Sequence, residues 1–160
     1  MLRLTLAWLH LLALGIGFWA VFARGRELRE AVGELPATNA LRRAFLADAH
    51  WGAAAALWLV TGLWRYLGAT EKATSYYNSN HVFLTKMTLF VIVVALEIGP
   101  MITLIRWRAA VGRSGAAGTG DAIDPARARR IATISYVQGA IVALMAFTAV
   151  AMARGYGARG

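Results

Sequence analysis

The sequence predicts an all-α fold, a four-helix transmembrane bundle forming one domain of 160 residues, on three observations. Hydrophobic residues make up 59% of the chain and charged residues only 16%, against roughly 25% charged in soluble globular chains. Four runs, about residues 4–23, 45–67, 82–105 and 131–153, each meet the length of about 20 mostly apolar residues that a spanning helix needs. The arginines gather in two of the stretches between those runs, the pattern that membrane topology imposes.

The first run, LTLAWLHLLALGIGFWAVFA, has one polar interruption, His10. Val21 and Ala23 mimic a signal-peptide cleavage site. Removing the run would strand five arginines on the wrong side, so it is expected to remain as a helix. The second run begins LADAHW and ends TGLWRYL. The third, VFLTKMTLFVIVVALEIGPMITLI, carries Lys86 and Glu97, and Gly99 with Pro100 predicts a kink. The fourth, IATISYVQGAIVALMAFTAVA, carries Gln138. Glycine and threonine inside such runs are ordinary, because small residues let neighbouring membrane helices approach.

The connection over 24–44 holds Arg24, Arg26, Arg29, Arg42 and Arg43, and that over 106–130 holds Arg106, Arg108, Arg113, Arg127, Arg129 and Arg130. The opposite side has only Arg3, Arg65, Lys72, Arg154 and Arg159. Both basic connections are therefore expected in the cytoplasm. Both termini are then expected outside. The frequent Ala, Gly and Arg are compatible with a bacterial source, so the expected location is the bacterial inner (plasma) membrane, multi-pass, with both termini periplasmic. GRSGAAGTGDAIDPARARR is expected to be mobile, and TEKATSYYNSN to be a polar outer loop with tyrosines at the interface.

The expected partner is the lipid bilayer. The net charge of +9 lies in the connections flanking the spans, which argues for no nucleic acid. With no cysteine, disulfides, thiolate metal sites, covalent haem attachment and Cys nucleophiles are excluded. No Gly-rich phosphate loop, HExxH or plausible Ser-His-Asp set is present.

Ionisable groups inside a span are costly, and each is a functional-site hypothesis. By helix rise, His10 lies about 6 Å outward of its span's middle, Lys86 about 11 Å and Arg65 about 13 Å. His81 stands at the outer mouth. Asp48 and His50 fall near the inner end, and Glu97 and Gln138 within roughly 6 Å of the midplane. The chain thus predicts an outer layer of His10, Arg65, His81 and Lys86, and an inner polar layer of Asp48, His50, Glu97 and Gln138. His10, Gly17 and Arg24 recur at seven and share a face with Ala13 and Ala20; Asp48, Ala55 and Gly62 form a similar stripe. Lys86 and Glu97 share a face but lie about 16 Å apart along the axis, so each needs its own partner. Glu97, if without a cationic partner, would be protonated.

Bland readings stand beside these. His10 can simply hydrogen-bond across helices, His81 can cap a helix end, Arg65 and Lys86 can snorkel to head groups, and Asp48 can answer a helix dipole.

The strings HLLALGIGFWAVFARGRELR, LWLVTGLWRYLG, EKATSYYNSNHVFLTKM and LEIGPMITLIRWR resemble a bacterial family of predicted integral membrane proteins, domain of unknown function 2214, over essentially the whole chain. That resemblance implies four helices and no activity. More distantly, His10 with Trp19 and Arg24, the His81–Lys86 segment, and Gly62 to Trp64 resemble HemJ-type protoporphyrinogen IX oxidases. His-led first helices also resemble copper-resistance membrane domains. The former resemblance implies haem b between the helices, with His10 as its metal ligand. Arg24, Arg65, His81 and Lys86 would be cofactor-binding, His10 and Lys86 catalytic, and a porphyrin the partner. The competing expectations are a small ion or copper transport module using Asp48, Glu97 and Lys86, and a structural assembly partner in a membrane complex. Four helices are few for transport unless the protein forms a homo-oligomer.

Overall fold

A computed structural model describes residues 1–33, 38–69, 74–114 and 123–157. These form five helices: α1 (Leu2–Gly33), α2 (Thr38–Leu67), α3 (Thr74–Ser79), α4 (His81–Ser114) and α5 (Pro125–Ala153). Helices α1, α4 and α5 are long and apolar enough to cross a membrane. Helix α2 has 30 residues but falls short of that apolarity; its central stretch carries Asp48, His50, Trp51 and Trp58.

All four long helices outrun the apolar runs at their arginine-rich ends. Helix α1 continues past Ala23 to Gly33, α2 starts at Thr38, α4 runs on to Ser114, and α5 starts at Pro125. The connection expected over 24–44 is therefore mostly helix. The extensions are held because they bury a cluster of their own, built from Leu28, Leu41, Ala44, Leu104, Trp107, Ala128 and Ile131. An apolar-run criterion ends a helix where charge begins, but an amphipathic helix can continue with one face buried. Of the linker expected to be mobile, residues 112–130, residues 112–114 and 125–130 are helical and residues 115–122 lie outside the described residues, as do residues 70–73 of the outer loop.

Helix starts follow capping chemistry. Asp124 Oδ1 accepts from the backbone N–H groups of Ala126 (2.9 Å) and Arg127 (3.3 Å), and Pro125 follows in the first turn. At the start of α4 the cap is Asn80, whose Oδ1 accepts from Val82 N (2.9 Å) and Phe83 N (3.1 Å). The outer loop contains the short helix α3, which the sequence reading missed. The predicted kink does not interrupt α4, which runs through the buried Pro100.

Helix α1 lies between α2 and α5, and α4 packs on α5. Close approach rests on small residues: the face of α1 bearing Ala13, Gly17, Ala20 and Arg24 is buried. At Gly139 a Cβ would lie 2.5 Å from the Phe22 ring, so only glycine admits that ring. A midsection of Ala20, Val21, Trp51, Val93, Val142 and Met145 completes the core. Large apolar side chains, among them Trp8, Leu11, Leu63, Val91, Ile98 and Phe147, cover the outside, a surface that suits hydrocarbon rather than water. Helices α2 and α4 make little backbone contact and meet through side chains, leaving a crevice between them.

Candidate functional site

Near the inner end of the crevice one guanidinium gathers all four long helices. Arg24 of α1 is 0% exposed. Its Nη1 donates to Glu97 Oε1 of α4 (2.7 Å) and Asp48 Oδ1 of α2 (2.9 Å). Its Nη2 donates to Glu97 Oε2 (3.0 Å) and to Gln138 Oε1 of α5 (2.8 Å). Nε donates to Ser135 Oγ, also on α5, at 3.0 Å. A guanidinium has five N–H donors, and here each has an acceptor. Gln138 Nε2 in turn donates to Glu97 Oε2 (2.8 Å) and to the Val93 carbonyl (3.2 Å). Arg108 Nη2 approaches Asp48 Oδ2 at 3.6 Å, so two guanidiniums balance two carboxylates.

This arrangement corrects two expectations. Arg24, expected to bind a cofactor, belongs to the inner layer, and its donors are all used by protein. Glu97, read as protonated if unpartnered, has a bidentate cationic partner. The signal was present: Arg24 continues the His10–Gly17 face by one heptad, and the end of an apolar run was mistaken for the end of a helix. His50 leaves the inner layer. It is exposed, its Nδ1 lies 2.8 Å from the Leu46 carbonyl, and its ring meets Trp19 edge-on. Asp48, Glu97 and Gln138 do converge, joined by Ser135, which the sequence reading missed.

The outer end of the crevice is a different environment. A chamber of about 370 Å³ is lined by His10, Trp58, Arg65, Tyr66, Lys86 and Phe90 among others, and none of its lining residues is a carboxylate. His10 Nδ1 lies 2.9 Å from Thr61 Oγ1. The single proton of that hydroxyl is used in a 2.7 Å bond to the Leu57 carbonyl. With that proton on the Leu57 carbonyl, the imidazole Nδ1–H is the donor to Thr61 Oγ1 and the lone pair falls on Nε2. The ring stacks on Trp58 with centroids 5.3 Å apart and rests over Gly62, where a Cβ would stand 3.2 Å from His10 Cε1. Lys86 Nζ lies 5.8 Å from the centre of the Trp58 ring, a cation–π distance. The Trp58 indole Nε1 is buried with no hydrogen-bond partner among the described residues. His81, expected in this layer, is the exposed first residue of α4 and does not line the chamber. Asn80 takes the capping role.

A smaller apolar cavity of about 180 Å³ lies beneath, sharing Trp58 and Phe90 with the chamber and reaching Glu97 at its inner end. Among the described residues no group of three or more His, Asp or Glu side chains could hold a metal ion. A metal at His10 would need its remaining ligands from elsewhere, as an iron porphyrin supplies them.

Beyond the membrane-length runs, Glu27 is buried between Arg26 and Arg43. Burial works to raise its carboxyl, but the hydrogen bonds from both arginines prevail and hold it below the ordinary carboxylate range.

Among curated proteins and among solved structures, nothing matches the chain. The family described as "Predicted membrane protein (DUF2214)" matches residues 2–157. Three helices of spanning length, a surface of apolar side chains and that match together lead to one conclusion: the chain belongs to the DUF2214 family of predicted membrane proteins.

Proposed function

We propose that the protein is a four-span inner-membrane protein whose outer chamber holds an acidic, planar aromatic ligand of the porphyrin class, in its sharpest form haem b. The observation that carries this reading is the chamber's lining: the His10 imidazole with Nδ1 against Thr61, the Lys86 ammonium beside the Trp58 ring, and a buried Trp58 N–H with no partner among the described residues. His10 would hold the iron and Thr61 would orient its ring, since a ligating imidazole's second nitrogen needs a hydrogen-bond partner. Lys86 and Arg65 would pair with propionates, and the unpartnered Trp58 Nε1 offers a further donor to an acceptor on the ligand. Leu59 and Leu63 on the α2 wall are half exposed, which leaves the chamber open toward lipid for a ligand larger than its enclosed part. Bound haem b would supply one-electron chemistry. Lys86 would hold or release a proton beside it. The residues present fit such a group.

Helix α2 serves as the fourth span in this reading. Its low hydropathy comes partly from Asp48, and that charge is met inside the protein by Arg24 and Arg108, as intramembrane charges must be. The arginine-rich ends face the cytoplasm and both termini face the periplasm. Reporter fusions at residues 115–120 test this, and an external location there overturns it. The same pairing weighs against Asp48 and Glu97 as charge-carrying transport steps, because each is already held by a guanidinium.

The direct test is the absorption spectrum of protein purified after expression with ample haem supply. A Soret band that His10→Ala removes is the expected result. Wild-type protein without such a band, and without quenching of its tryptophans by added protoporphyrin, overturns the assignment.

A further inference from the structure

A third recess lies at the arginine-rich end, along α2 and against Arg108 of α4. It has a volume of about 550 Å³ and is lined by Asn39, Arg42, Arg43, Arg108, Phe45 and Leu46 among others, with no carboxylate among its lining residues. From it we infer that the protein carries a binding site for the phosphate of an anionic phospholipid.

Three features support that occupant. First, the guanidiniums are held in place from behind. Arg43 uses Nε and Nη2 on Glu27 and Glu30, leaving Nη1. Arg108 uses Nη2 on the Phe45 carbonyl, with Asp48 Oδ2 3.6 Å from the same nitrogen, and lies over the Phe45 ring at 5.2 Å, leaving Nε and Nη1. A pre-positioned guanidinium loses less freedom when it binds an anion than a free one does. Second, Arg42 has no carboxylate partner among the described residues, so it contributes uncompensated charge. Guanidinium forks match phosphate oxygens in geometry. Third, Leu46 beside the arginines is exposed, and Phe45 and Leu46 supply apolar surface for glycerol and the first acyl carbons. Recesses with basic lining at the cytoplasmic side of membrane helices are suited to anionic head groups. None of these residues lines the outer chamber, so the inference does not rest on what that chamber binds.

The test uses the full chain in detergent, offered equimolar phosphatidylglycerol and phosphatidylcholine, with bound lipid counted by native mass spectrometry. Each arginine near an anionic head group contributes about five-fold in affinity. The wild type is expected to prefer phosphatidylglycerol by about ten-fold or more. Arg42→Gln with Arg108→Gln should reduce this below about two-fold. Arg42→Gln alone should lose about five-fold, and it leaves every protein–protein hydrogen bond of the recess in place. The charge-matched control is Arg129→Gln with Arg130→Gln, two exposed arginines of α5, which should keep the wild-type preference. Equal loss in that control, no preference in the wild type, or a preference that survives Arg42→Gln and both recess substitutions together overturns the site. Inorganic phosphate at millimolar concentration should not displace the lipid; displacement would mean a site for the free ion and overturn the lipid assignment.

Discussion

The inner and outer ends of the α2–α4 crevice are both polar, yet they are built to opposite rules. At the inner end every donor of Arg24 meets an acceptor, and charges balance between two guanidiniums and two carboxylates. At the outer end His10, Lys86 and Arg65 line an open chamber, and an indole N–H has no partner among the described residues. A satisfied buried network rigidifies and specifies packing. The difference favours a structural role for the inner cluster and fits the ligand proposed for the outer chamber. It teaches that a buried charge whose donors are all met by protein is poorly placed to hold a ligand.

The largest effect should come from Arg24. Arg24→Gln leaves Glu97 and Asp48 buried without their central partner, a loss of about 3–5 kcal/mol. It should appear as aggregation or a large drop in melting temperature in detergent. Arg24→Lys should rescue little, because an ammonium has three donors and cannot form the fork. Wild-type stability in both variants would erase the contrast.

Glu97→Gln should cost roughly 2–3 kcal/mol, the weight of hydrogen bonds to a charged group, while Asp48 still pairs with Arg24. Denaturation of this variant beside Asp48→Asn ranks the two carboxylates, and the bidentate geometry predicts the larger loss at Glu97.

At the outer end, Gly62→Ala pushes a methyl to 3.2 Å from His10 Cε1, an overpacking worth about 1–2 kcal/mol. Its more telling effect is displacement of the imidazole, read as weakened porphyrin quenching of tryptophan. Lys86→Met removes an unbalanced charge and keeps the stem volume, so stability should change by less than about 1 kcal/mol or rise while ligand binding falls. A strongly destabilised Lys86→Met would make the outer layer structural as well.

The smallest effect concerns pH. The Glu27 carboxyl is held down by Arg26 and Arg43. A group with a lowered folded pKa contributes stability that is present above its unfolded value and lost as pH falls through the folded one. Melting temperature should therefore decline below the ordinary glutamate value of about 4.5. Glu27→Gln should flatten part of that decline, and an unchanged slope would show that Glu27 does not govern it.

Much of the architecture was legible from the chain. The apolar runs located the cores of α1, α4 and α5, and the heptad from His10 through Gly17 to Arg24 marked the buried face of α1. Lys86 and Glu97 were correctly separated, because distance along one helix follows from residue count. Three features were misread or missed. Arg24 was assigned to the wrong layer because hydropathy falls where it stands, although the helix does not end there. Ser135 carried no signal, since serine is common in membrane helices. His50, close to Asp48 in sequence, points elsewhere, because two residues along a helix turn a side chain by about 200°.

By itself the sequence determined the membrane character, the helical class and which residues are too polar to face lipid, since these follow from the transfer cost of each side chain and from helical period. Which of those polar residues balance one another is a property of four helices packed together. That pairing depends on which faces meet across α1, α2, α4 and α5, and separations of 73 and 114 residues between Arg24 and its partners Glu97 and Gln138 are beyond any local pattern. Only the tertiary structure decided that the inner charges close on one another around Arg24, because that closure needs faces of four helices to meet.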